Sequence, residues 1–104
     1  MLAEFSVAPM GGGTHLSEVV AEMLRIVDAS GLPYEFHSMG TIVEGEWDEV
    51  MALIGRCHAA AVRHGARVST AIKIDDAKGR TGRLKGKVDA VEKLVGRKLG
   101  RATE

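Results

Sequence analysis

Residues 67–75 alternate with a period of two. Val68, Thr70, Ile72 and Ile74 form one row, and Ser69, Ala71, Lys73 and Asp75 form the other. A helix would scatter these residues around its circumference, whereas a strand sorts them onto an apolar face and a polar one. A strand with one buried face needs partner strands beside it and a layer above it. The rest of the chain supplies both.

Residues 2–9 repeat the pattern, with Ala3, Phe5 and Val7 against Glu4, Ser6 and Ala8. Leu16, Val19, Val20, Met23, Leu24 and Val27 then recur at helical spacing, with Thr14 or Ser17 as the cap and Gly31 and Pro33 as the stop. Residues 34–38 form a short strand with Tyr34 and Phe36 on one face. A Met39-Gly40 turn links it to a strand over residues 41–46, which makes a hairpin. From Trp47 a helix carries Val50, Met51, Ile54, Cys57, Ala61 and Val62 inward and ends at Gly65; Leu84, Val88, Val91, Leu94, Val95 and Leu99 mark a last helix. The order β-α-β-β-α-β-α predicts an α+β fold. It is the ferredoxin-like split β-α-β sandwich: a four-stranded antiparallel sheet in the order 4-1-3-2, helices on one face, and an extra C-terminal helix at an edge or against a partner.

With 104 residues, a single domain over 1–104 is expected, with a core modest enough to favour homo-oligomers, dimer or tetramer. No apolar run is long enough for a membrane span, and the N-terminus lacks signal-peptide regions, so a cytoplasmic protein without a membrane partner is expected. One cysteine excludes an internal disulfide and a cysteine-based zinc site. Charge is balanced overall but split along the chain. Residues 1–76 hold 5 Lys/Arg and 11 Asp/Glu, a net of −6, and residues 77–104 hold 9 and 3, a net of +6. A basic tail on an acidic body suits self-association or anion binding, although a solvated basic helix face is the commoner cause.

Most chemical motifs fail on inspection. Gly11-Gly12-Gly13 is followed by no Gly-Lys-Ser/Thr and lacks the third glycine of a dinucleotide fingerprint. His15, His37, His58 and His64 have no metal-ligand spacing, so no metal is expected. His58 reads as a half-buried residue with one hydrogen bond, and Cys57 as a core thiol. No nucleophile, base and acid stand at recognisable spacing. RNA-recognition modules share this topology but stack bases on exposed aromatics of their central strands. The first and last strands, read here as the central pair, show Glu4, Ser6, Ala8, Ser69, Ala71 and Lys73, without an aromatic, so no nucleic acid is expected.

One run does suggest a ligand. Met39-Gly40-Thr41-Ile42-Val43-Glu44-Gly45-Glu46-Trp47 sets a small-residue turn, a carboxylate and an indole close together. These suit a pocket for a planar, cationic small molecule. The plainer alternative makes Glu44 an exposed strand residue and Trp47 a core plug.

The chain also resembles a family of small ferredoxin-like proteins described as thiamine-binding. The landmarks are Ala3-Glu4-Phe5-Ser6-Val7-x-Pro9, Met39-Gly40-Thr41-x-x-Glu44-Gly45-x-Trp47-Asp48-Glu49-Val50, Cys57-His58, and Arg67-Val68-Ser69-Thr70-x-Ile72-Lys73-Ile74-Asp75. Ser38 replaces a proline common before the Met-Gly-Thr turn, and Ala77 and Gly79 replace charged residues of the family's later loop. The resemblance implies a non-enzymatic binder of thiamine or its hydroxymethylpyrimidine part, requiring no cofactor, assembled as dimers that pair into tetramers. Thiamine joins a cationic thiazolium to an aminopyrimidine. Carboxylates, hydroxyls and an aromatic face can all serve it. Glu44, Ser6, Ser69 and Trp47 are the first expected contacts, followed by Thr41, Lys73 and Asp75. The competing expectation is a small enzyme of acyl or phosphate chemistry on the same fold.

Overall fold

The computed structural model describes residues 1–11, 16–65 and 67–100. Its elements are β1 (Leu2–Met10), α1 (Leu16–Ala29), β2 (Tyr34–His37), β3 (Gly40–Glu44), α2 (Trp47–Val62), β4 (Arg67–Asp75) and α3 (Arg83–Val95). The sheet runs β2-β3-β1-β4, and the pairings are antiparallel. This is the expected order. It also makes β3 and β1 the central pair, with β4 at an edge. The sequence reading that put the first and last strands in the centre is therefore corrected. A nine-residue run of alternation shows that β4 is a strand but says nothing of which neighbours it takes.

Register assigns the faces. Tyr34, Val43, Ala3 and Ile74 stand in one row, and Phe36, Thr41, Phe5 and Ile72 in the next, on the face toward α1 and α2; the helices cover its centre but leave Phe36, Ile72 and Ile74 exposed, so the apolar face expected to be buried on β4 is not. Between sheet and helices lies the core, with Ala3, Phe5, Val7 and Val43 from the sheet, Val19, Met23 and Val27 from α1, and Val50, Leu53, Ile54, Cys57 and Ala61 from α2. Burying each Val or Leu side chain contributes about 1.5–3 kcal/mol. Val62 does not join them; it is half exposed at the end of α2. His58 Nδ1 lies 2.6 Å from Thr70 Oγ1, which ties α2 to β4 by the single bond expected of it. The helix ends differ slightly from expectation. Ser17 lies inside the first turn of α1, not at its cap, and Thr14 lies outside the described residues, as do Gly12, Gly13 and His15. Gly31 follows α1 with φ of 78°, a conformation that stops a helix.

The opposite face carries the rows Glu35–Ile42–Glu4–Lys73 and Glu44–Leu2–Asp75. Here the third helix does something the sequence left open. The first turn of α3 sits against the end of β3 on this polar face, not at a sheet edge, while Val91, Leu94 and Val95 farther along stay exposed.

Candidate functional site

Glu44 is the most constrained residue of the expected set. It lies 8% exposed at the end of β3, and both carboxylate oxygens are taken. The Arg83 N–H donates to Oε2 at 2.8 Å and the Leu84 N–H to Oε1 at 3.2 Å. The reason lies at the start of α3. Its cap residue is Gly82, in the left-handed region at φ of 65°, which has no side chain to offer the helix. A helix start leaves backbone N–H groups without intrahelical partners and carries a partial positive charge. Glu44 answers both from another element. The plain alternative of an exposed strand residue is therefore incorrect; Glu44 is buried and bonded.

Around that cap stands a charged cluster. Asp75 Oδ2 accepts from Arg83 Nη2 at 2.9 Å and from Lys87 Nζ at 2.7 Å. The two cations pull the Asp75 carboxyl down to about 2, with the Arg83 bond the larger cause. Lys73, two residues earlier on the same face, is not its partner among the described bonds.

The space over Gly45 belongs to this chain: a Cβ there would meet Leu32 Cδ2 and Val50 Cγ2, each at 3.2 Å, so no ring approaches Glu44 from that side. Trp47 opens α2 as a half-exposed residue, so it is neither a core plug nor a lining of the clefts below.

Two clefts meet at the hairpin turn. The ladder between β1 and β3 stops at the Phe5–Thr41 pair, but β1 continues to Met10 beside β4. Residues 6–10 therefore have a strand on one side only. A cleft of about 210 Å³ lies at this notch, lined by Val20, Met23 and Val27 of α1 and by Ser6, His37 and the buried Thr41. Phe36, 48% exposed, forms one wall. A second cleft of about 140 Å³ opens on the polar face and shares Ser6 and Met39 with the first, adding Glu4 and Lys73.

The expected residues thus divide. Ser6 and Thr41 line the apolar cleft, Ser6 and Lys73 line the polar one, and Asp75 lines a shallower groove beside Lys87. Ser69 lies farther along the polar face opposite Ala8. Glu4, Phe36 and Met39 line these clefts and were not among the expected contacts. Strand alternation shows which face Glu4 takes; only the unequal lengths of β1 and β3 show that a notch opens beside it. Cys57 takes no part. It is fully buried, and burial pushes its thiol up to about 11, which makes it inert.

Comparison with known proteins agrees with this fold. The family model described as thiamine-binding protein matches residues 3–92. UPF0045 protein Mb1933 of Mycobacterium bovis is 41% identical over 96 residues, covering 91% of this chain and 94% of the relative. Among solved structures, hypothetical protein MJ1052 of Methanocaldococcus jannaschii superposes with a TM-score of 0.79 at 29% identity, over 89% of this chain and 96% of that one. A domain of unknown function, DUF77, from Bacillus cereus gives 0.73 at 31% identity, over 81% and 84%. The chain belongs to the thiamine-binding protein family.

Proposed function

We propose that this protein binds thiamine or its hydroxymethylpyrimidine part, without catalysing a reaction on it, at the notch beside the Met39-Gly40-Thr41 turn. The supporting observation is the one-sided stretch of β1 inside an apolar cleft. A strand edge offers alternating backbone donors and acceptors. An aminopyrimidine offers a donor and an acceptor side by side on its own edge. Apolar walls from α1 suit the ring faces, and polar groups at the rim fix its orientation. The thiazolium would extend past Ser6 and Met39 into the polar cleft. Glu4 is an exposed carboxylate there that can balance the cation, and Phe36, which lines the first cleft, offers its ring face to the pyrimidine. In this reading Glu44 supports the site indirectly, by holding α3. The protein works as a homo-oligomer, dimer or tetramer, requires no cofactor and acts in the cytoplasm. Among the described residues no helix is long and apolar enough to cross a membrane.

Calorimetric titration with thiamine, its phosphates and hydroxymethylpyrimidine tests the proposal. Glu4→Gln should weaken thiamine about tenfold, close to 1.4 kcal/mol, while leaving the uncharged hydroxymethylpyrimidine unaffected. Silence with every one of these ligands would end it. The enzymatic alternative has its best geometry at the His58–Thr70 pair, but neither residue lines the two clefts. Ester or phosphate turnover abolished by His58→Gln would favour it.

A further inference from the structure

Beyond α3's cap lies a region that thiamine recognition does not use. Lys78-Gly79-Arg80-Thr81-Gly82-Arg83-Leu84-Lys85-Gly86-Lys87 holds five cations and no acid. The fold gathers three of them on one cavity of about 330 Å³, lined by Arg80, Thr81, Arg83, Gly86 and Lys87 among others, with no carboxylate in the lining. Arg83 is the unusual member. Its side chain is only 10% exposed, and Asp75 engages Nη2 alone. Nε and Nη1 are buried and have no hydrogen-bond partner among the described residues. A buried guanidinium with two orphan nitrogens is costly, because such groups in native proteins are nearly always bonded. Nε with a terminal nitrogen is also the fork that grips two oxygens of a phosphate or carboxylate.

The cavity has room for such a group. Nothing within 4 Å would meet a Cβ built on Gly86, which sits in the first turns of α3, or on Gly82. Glu44 already takes the Arg83 and Leu84 N–H groups at the helix start, so the contacts offered by the cavity are chiefly side chains. We propose that the cavity formed by Arg80, Thr81, Arg83 and Lys87 is a binding site for a phosphate-type oxyanion, with Arg83 as its anchor. It shares no lining residue with the apolar cleft at the hairpin turn, so it stands or falls independently of thiamine binding.

The test is titration of the full-length protein with inorganic phosphate and with pyrophosphate at low ionic strength, followed by calorimetry and by the shifts of the arginine side-chain NMR signals. Arg83→Met keeps the aliphatic length and removes the fork; it should weaken binding at least tenfold. Gly86→Leu fills the open space with a good helix former. It should weaken binding as much while preserving α3, which guards against a misfolded Arg83 variant. Lys93→Gln, on the same helix but outside the cavity, should leave binding within twofold. Three results would each overturn the site. They are no saturable binding of either anion by the folded wild type, unchanged binding by Gly86→Leu, or equal loss in Lys93→Gln, which would show a diffuse basic surface.

Discussion

Glu44 carries two hydrogen bonds from one backbone turn, and that sets what its replacement does. Glutamine keeps the shape but leaves one acceptor oxygen, and it points an amide N–H₂ at the second backbone donor. A hydrogen bond to a charged group is worth about 1.5–3 kcal/mol, so Glu44→Gln is expected to lower stability by about that amount. Hydrogen exchange should localise the loss to the first turn of α3 and not to the sheet. Glu44 was named from the sequence as a ligand contact because of its neighbours Gly45 and Trp47. What local sequence could not show is that the donors for its oxygens lie 39 and 40 residues later. Met39, 87% exposed beside both clefts, was legible as part of a turn but not as a rim.

Among the elements, strands and helices were legible from the spacing of their apolar residues, even in β4, where no residue is buried. Residues 67–75 were bounded correctly by alternation alone, and the apolar stripes of α1 and α2 by their spacing. The strand order 4-1-3-2 was legible from the order of elements, but the central pair was misread, because alternation within a strand does not encode its neighbours. The docking of α3 was missed for the same reason. Its attachment also predicts an acid response. The Asp75 carboxyl sits at about 2 against 3.8 in its unperturbed state, held down by Arg83 and Lys87. A depressed carboxylate contributes stability that is complete above the unfolded value and fades as pH falls through the folded one. The anchoring of α3 should therefore persist below pH 4 and weaken toward pH 2. In Asp75→Asn the Asp75 share of that dependence should be lost while the Glu44 cap remains, and an acid titration of both proteins followed by the amide signals of α3 would show the difference.

The whole molecule extends 47 × 28 × 21 Å, and α3 leaves much of its apolar stripe uncovered. Val91 and Val95 are half exposed and Leu94 is 89% exposed, on a basic segment attached to an acidic body. Exposed apolar residues in one stripe are a feature of association surfaces. Light scattering at micromolar concentration is expected to give at least twice the chain's 11.1 kDa. Leu94→Lys should reduce that mass without altering the far-ultraviolet spectrum of the folded chain. A wild-type particle of 11.1 kDa would refute self-association.

The remote cap on α3 also has a consequence for the order in which the chain acquires structure. A thirteen-residue helix is marginal on its own in water. Gly82 gives this one no side-chain cap, so the segment is expected to gain its helix only when the hairpin that carries Glu44 is in place. Because both oxygens of that cap belong to β3, the sheet is expected to form first and to serve as the template on which the last helix is wound.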